Sequence, residues 1–315
     1  MQSEYPKILE SHKKTLTFNM NDEKFHLRDH LAYYHTDEYP LYMHTHDFYE
    51  LNIIVEGYGR HYIEDKNYPA EPGSVFAFPP GIRHGYWAQG DNMSIFHLLI
   101  EDYIFTKFYK ELEQFQGFRF LFETEPLIRR TTDATSLFLH LSPDRLNEFK
   151  PKMSDLVKTA SETFSGAKLL FQMKAVCLLG DLSFLMSKFH DQKEAGALKN
   201  GDIYPLINTI EYMNDNFGNH ISLDDLANLA ITSKASYLRN FKKFFNTTPF
   251  SYLKNLRLKK AREMLINSQK SIAEISQDCG FFDSSHFIRT FKEMFNCTPT
   301  EYQSEHSSIK MEKTE

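Results

Sequence analysis

Residues 222–302 carry one pattern twice, and that duplication limits the folds open to this chain more than any other feature. The first copy reads SLDDLANLAITSKASYLRNFKKFFNTTPFSYL and the second SIAEISQDCGFFDSSHFIRTFKEMFNCTPTEY. Arg239, Phe241, Lys242, Phe245, Asn246, Thr248, Pro249 and Tyr252 recur as Arg289, Phe291, Lys292, Phe295, Asn296, Thr298, Pro299 and Tyr302, each 50 positions later. The opening serines, Ser222 and Ser271, are 49 apart, so the second copy has one extra residue in its turn. Each copy reads as two short helices. Ser222 with Asp225 three residues on has the form of a capping box. Ser233 caps a second helix over 234–245, and the short connection at Ala230–Thr232 between the two points to helix-turn-helix.

The second helix divides by face. Tyr237, Phe241, Phe244 and Phe245 fall inward; Ala235, Leu238, Arg239 and Lys242 fall outward at three- and four-residue steps. The repeat gives the same partition, with Phe287, Phe291, Met294 and Phe295 inward and Ser285, Ile288, Arg289 and Lys292 outward. Outward Leu238 and Ile288 suit thymine methyl groups in a major groove, and the arginines suit guanine or phosphate. The DNA-contact set is therefore Lys234, Ala235, Ser236, Leu238, Arg239, Lys242 and Lys243 in the first copy, with Ser284, Ser285, Ile288, Arg289 and Lys292 in the second. Residues 234–262 hold nine Lys and Arg and no Asp or Glu, although the chain carries a net charge of −6. A solvated face mixes signs, so this block reads as phosphate-facing, and the first copy is expected to dominate affinity. A helix over Phe250–Asn267 would separate the copies by about 27 Å, near the ~34 Å between successive turns of a major groove.

The first third is strand-like. Short runs rich in β-branched and aromatic residues (Leu51–Val55, His61–Glu64, Ser74–Phe78, Ser94–Ile100) are punctuated by Gly and Pro, which predicts a small β-barrel or jelly roll. His44, His46 and Glu50 are placed to share one strand face, and His84 to join them from another strand. Three imidazoles and a carboxylate form a site for a divalent transition metal, line a pocket for a polar ligand, or simply hydrogen-bond one another. Arg60, Tyr86, Trp87 and His97 complete the candidate effector set. The spacings His44-x-His46-x3-Glu50-x6-Gly57 and Gly73-x5-Pro79-x4-His84 resemble the two motifs of the cupin family over Tyr42–Trp87. All four family ligand positions are filled, while Ala88 stands where the family has Asn.

Between these regions the pattern is helical. Asp102–Arg130 suggests a helix over Tyr103–Phe115 and then a loop. Ser142-Pro143 starts an amphipathic helix, and a second runs over Ala167–His190, its stripe packing inward or facing a second subunit. Asp191–Asp202 is polar and glycine-containing and reads as a linker. The most apolar run, Leu169–Met186, is broken by Lys174 and Asp181, which argues against membrane insertion. The polar first 20 residues do not read as a signal peptide. Three scattered cysteines give neither a disulfide framework nor a zinc spacing and suit a reducing cytoplasm.

Over Ile203–Gln303 the elements Ser271-Ile-Ala-Glu-Ile, Cys279-Gly-Phe, Phe287-x-Arg289-x-Phe291-Lys292 and Thr298-Pro299-x-x-Tyr302 resemble the signature of AraC/XylS-type transcription regulators. The resemblance implies a multidomain regulator: a cupin-like, all-β effector barrel with an N-terminal arm over 1–130, a helical connector and linker over 131–201, and an all-α double helix-turn-helix unit over 202–306. Residues 307–315 form a tail. It implies a non-enzymatic, cytoplasmic homodimer that binds double-stranded DNA and a small effector, with sugar as the favoured class. RNA polymerase is a partner if the protein activates, and no cofactor is required unless the barrel holds a divalent metal. In sugar-sensing members, positions matching Tyr86 and the His97 region lie at the pocket. The alternative from another class is a cupin metalloenzyme fused to a DNA-binding unit.

Overall fold

The computed structural model describes residues 16–18, 32–36, 41–90, 93–131, 138–196 and 203–304. The chain divides into two compact units, Met1–Leu198 and Lys199–Glu315.

The first unit holds two facing sheets. One contains β1 (Leu16–Phe18), β3 (Leu41–His46), β8 (His84–Ala88), β5 (Gly59–Ile63) and β6 (Lys66–Ala70), in that spatial order. The other contains β2 (Ala32–His35), β9 (Ser94–Ile100), β4 (Tyr49–Glu56) and β7 (Val75–Phe78). All pairings are antiparallel except β1 with β3. Of the expected N-terminal arm, only Leu16–Phe18 lies among the described residues, and there it is a strand of the first sheet.

Register decides which side chains point between the sheets. His61 pairs with Tyr86 and Tyr68, Asn52 with His97 and Phe76, and Glu50 with Leu99 and Phe78. Cross-strand partners share a face, and alternate residues along each strand join them. The interior therefore contains His44, His46, Glu50, Asn52, His61, His84, Tyr86 and His97, all buried.

Helices follow the last strand: α1 (Asp102–Leu112), α2 (Gln116–Arg119), a π-helical turn at Phe120–Thr124 and α3 (Glu125–Thr131). The expected loop is thus largely helical, because Phe118, Phe120, Leu121, Phe122 and Ile128 are buried and the helical repeat is what directs them inward. On α3 the buried Arg129 pairs with Glu125 and lies over the rings of Phe138, Phe76 and Tyr68. Burial lowers its guanidinium to about 9. Segment 138–141 then pairs with the start of β7, and Gly73 allows the approach, since a Cβ there would lie 2.1 Å from the Leu141 carbonyl oxygen.

Helix α4 (Pro143–Ala160) is capped by Ser142, whose hydroxyl accepts from the Arg145 amide. Helix α5 (Ala167–Gly196) runs six residues into the expected linker, where Gln, Lys, Glu and Ala are all good helix formers. Its portion Ala167–Lys188 is long and apolar enough to cross a membrane, but half of that stretch is buried inside the fold. The two charges that interrupt it, Lys174 and Asp181, pair with Asp155 and Lys152 of α4 at 2.6 Å each. They fasten α5 to α4.

Among its described residues the second unit is all helical: α6 (Tyr204–Asp215), α7 (Leu223–Leu229), α8 (Lys234–Phe245), α9 (Pro249–Asn267), α10 (Ile272–Asp278) and α11 (Ser284–Phe295). The repeated residues have repeated jobs. Ser222 and Ser271 form capping boxes with Asp225 and Glu274. Asn246 and Asn296 end α8 and α11 at φ 52° and 60°, a left-handed conformation that Asn tolerates better than most residues. Thr248 and Thr298 accept from the amides of Ser251 and Glu301. Phe241 and Phe291 are the fully buried centres of the two copies.

Candidate effector pocket and nucleic-acid interface

The barrel interior centres on Glu50. His44 and His46 come from β3 in one sheet and Glu50 from β4 in the other, so the shared strand face expected from the sequence is not the reason they meet. The chain crosses between sheets at Asp47–Phe48 and all three still point inward. One ligand atom from each of His44, His46, Glu50 and His84 lies within 4.8 Å of the others. Glu50 Oε2 is 2.9 Å from His46 Nε2 and 3.2 Å from His84 Nε2, while Oε1 accepts from His97 Nδ1 at 2.6 Å. Burial pushes the Glu50 carboxyl up, but hydrogen bonds from His46, His84 and His97 outweigh it and hold the group well below the usual carboxylate range.

The far ring nitrogens are also fixed. His46 Nδ1 lies 2.7 Å from the Phe48 carbonyl and His84 Nδ1 3.1 Å from that of Ile82. A carbonyl only accepts, so both Nδ1 atoms carry protons. The two Nε2 atoms converge on one carboxylate oxygen, and a cation bound there would replace these hydrogen bonds with ligation.

A second polar group also lines the interior. Asn52 Nδ2 donates to Tyr86 Oη at 3.1 Å, and His61 stacks on Tyr86 with ring centroids 4.1 Å apart. Asn52 Oδ1, both ring nitrogens of His61 and His97 Nε2 are buried with no hydrogen-bond partner among the described residues. Burial lowers the His61 imidazole well below its ordinary range, so the ring is neutral. Buried polar atoms ordinarily find partners, so these atoms have hydrogen-bonding capacity left to offer a polar guest.

Two of the expected effector residues are elsewhere. Arg60 and Trp87 pair with each other across β5 and β8, one residue out of phase with the inward His61 and Tyr86. Arg60 is exposed and donates to Asn67 Oδ1, while Trp87 packs on Met43 and Tyr62 outside the sheet. Asn52 and His61 were missed because the inward phase of β4 and β5 is set by pairing partners far away in sequence.

In the second unit, α8 and α11 turn Lys234, Ala235, Leu238, Arg239, Lys242 and Lys243, and Ser285, Ile288, Arg289 and Lys292, to the exposed side; Ser236 and Ser284 are half-buried. The basic block is less free than its sequence suggested. Lys234 pairs with Asp224 and Lys260 with Glu263, acids that lie just outside the block. Arg262 lies over the Phe295 ring. Arg257 donates through Nε to the Phe217 carbonyl and through Nη2 to that of Asn219, both at 2.8 Å, and burial lowers its pKa. Arg239, Lys242, Lys254 and Lys259 keep exposed charges with no ion pair among the described residues.

Comparison with known proteins identifies both domains. An AraC-like ligand binding domain matches residues 26–143, and a helix-turn-helix domain matches residues 226–305. The chain is 26% identical over 254 residues to the HTH-type transcriptional activator RhaS of Escherichia coli O81 (strain ED1a), covering 78% of this chain and 81% of that one. The Enterobacter sp. (strain 638) RhaS is 26% identical over 249 residues. Among solved structures, an AraC-type transcriptional regulator from Chromobacterium violaceum is 33% identical, covering 34% of this chain and 96% of that one, with a TM-score of 0.32. The chain belongs to the AraC-type family of transcription regulators: it is a DNA-binding regulator with a cupin-like ligand-binding domain.

Proposed function

We propose that the chain is a sugar-responsive activator whose effector enters the barrel and binds against Asn52, His61, Tyr86 and His97. The observation that carries this is the set of buried, unpartnered acceptors and donors at Asn52 Oδ1, His61 and His97 Nε2. A polyhydroxylated ring offers matching groups along its edge and an apolar face for Tyr86. The 26% identity to RhaS, named as an activator, supports the direction of regulation. A thermal-shift screen of mono- and disaccharides, sugar acids and polyols tests the class. A stabilising hit in wild type that vanishes in Asn52→Leu, itself checked for folding, supports it; no hit among sugars, with stabilisation by an unrelated ligand class, overturns it.

Four ligand atoms within 4.8 Å of one another favour a second component. His44, His46, Glu50 and His84 would hold a divalent transition metal, which when bound supplies a positive charge to orient effector oxygens. The Nδ1 bonds of His46 and His84 to backbone carbonyls fix the rings for that task. Metal analysis of tag-free protein decides it: near-stoichiometric metal that falls in His84→Ala supports the site, and trace metal in folded protein sinks it. Turnover of a small substrate by metal-loaded protein would instead revive the enzyme alternative.

The proposed DNA contacts are the outward residues of α8 and α11. Leu170, Met173, Cys177 and Phe184 form an exposed stripe on α5 at coiled-coil spacing, which we assign as the seam of a homodimer. Sedimentation of Met173→Glu against wild type tests the seam; a wild-type monomer at micromolar concentration counts against it. Effector binding would then bias DNA engagement and recruitment of RNA polymerase in the cytoplasm.

A further inference from the structure

The turns ahead of the two recognition helices are built on one plan. In the first, the Ile231 and Thr232 amides donate to Asn228 and Ala227 carbonyls at 3.0 Å each. In the second, the Gly280 and Phe281 amides donate to Gln277 and Ser276 at 2.9 and 3.0 Å. The second copy then inserts Phe282 before the cap of α11, Asp283, whose carboxylate accepts from the Ser285 and His286 amides.

Each turn displays one large apolar side chain that touches little of the fold. Ile231 is 90% exposed and Phe282 fully exposed. Neither position is accounted for by internal packing. An apolar residue just before a cap commonly folds back onto the first turn of its helix. Here Phe281 takes that role, with its ring 5.1 Å from Phe287, and Phe282 points away. Ile231 sits at φ 51°, a left-handed conformation that a β-branched residue rarely adopts, at the repeat position where the second copy has Gly280 at φ 71°. An exposed, strained isoleucine and an exposed, inserted phenylalanine thus occur in the same turn, though not at the same repeat position, of two copies that otherwise share a framework.

That place adjoins the proposed DNA-reading faces. In a helix-turn-helix the amino end of the recognition helix meets the base edges. We propose that Ile231 and Phe282 are DNA contacts, one per copy, that press against thymine methyl groups or deoxyribose at the lip of the groove. They extend the apolar surface begun by the exposed Leu238 and Ile288. The inference rests on the reading of α8 and α11 as DNA-facing. A protein partner such as polymerase is the competing occupant, but continuity with the recognition helices favours DNA.

The test uses the full chain and a duplex selected by wild type from a random library. Phe282→Ala and Ile231→Gly are each expected to weaken binding by about 5- to 100-fold, the range of one lost base-pair contact. The melting temperature should stay unchanged in Phe282→Ala and rise in Ile231→Gly, where the strained backbone becomes acceptable. Replacing individual thymines by uracil separates the two chemistries. A uracil effect present in wild type and absent in the variant assigns a methyl contact; uniform weakening without one assigns deoxyribose. Arg239→Ala runs alongside. If it weakens binding while both turn variants bind like wild type, the inference is overturned and the reading of the helix faces stands. If Arg239→Ala and Arg289→Ala are both silent, that reading falls too. Wild-type DNA binding with lost transcriptional activation in Phe282→Ala would likewise overturn the DNA contact, in favour of a polymerase surface.

Discussion

The two helix-turn-helix copies share an interior and differ at the surface. Both have a serine capping box, a buried phenylalanine at the centre, a left-handed asparagine at the end of the second helix and a threonine cap beyond it. Their outward faces diverge. The first recognition helix carries Lys234, Arg239, Lys242 and Lys243; the second carries Arg289 and Lys292, with Glu293 beside them. Even the acid Asp283 has a structural use in the second copy, because it caps α11. Backbone geometry thus dictates what repeats, and the residues free of it carry the difference between the two readers.

The largest expected effect tests the shared interior. Phe241→Ala and Phe291→Ala should each destabilise the second unit by about 3–5 kcal/mol in chemical denaturation. A loss under 1 kcal/mol in one copy alone would show that the two cores are not equivalent. The turns should respond with opposite signs. Gly280→Ala should cost about 1–3 kcal/mol, because φ is 71° and a Cβ would meet Arg257 Nη2 at 2.8 Å and the Phe217 and Gly218 carbonyls at 2.9 Å. Ile231→Gly, at the matching position, should gain stability. Equal signs would break the comparison.

The surfaces come next. Arg239→Ala should weaken operator binding by about 1–3 kcal/mol and relax preference at one base pair if it reads a base. Paired Lys242→Gln and Lys243→Gln should lower the salt slope by about 2, against about 1 for Lys292→Gln. Equal slopes would refute the charge asymmetry. The smallest effect concerns a thiol found only in the second copy. Burial pushes the Cys279 thiol up to about 12, so thiolate is scarce at pH 8 and alkylation should spare it in native protein while labelling it in denaturant. Labelling of Cys279 in native protein at the denatured rate would mean that this copy opens locally.

Much of this organisation is legible in the sequence, and the misses share a cause. The repeat, the caps and the recognition faces follow from local periodicity. His44, His46, Glu50 and His84 converge as their spacing suggested, though by a crossing between sheets. Arg60 and Trp87 were expected to face the barrel interior with Tyr86, but they point outward, while His61 and Tyr86 face inward. In a strand, one step along the chain reverses the face, and only pairing with distant strands sets the phase. The basic block misled for a similar reason. The partners of Lys234 and Lys260 lie outside the window, and the partners of Arg257 are backbone carbonyls, which carry no sequence signal.

That last interaction bears on how an operator can vary. Arg257 leaves the helix between the copies to hold the backbone at Phe217 and Asn219, while Gly218 and Gly280 let the segments meet. The two readers are clamped to one spacing. One inserted base pair would displace the far half-site by about 3.4 Å and rotate it by roughly 35°. A single contact can be exchanged at modest loss, but a change of phase removes a whole half-site. Operators of this protein should therefore drift in letters far more readily than in length.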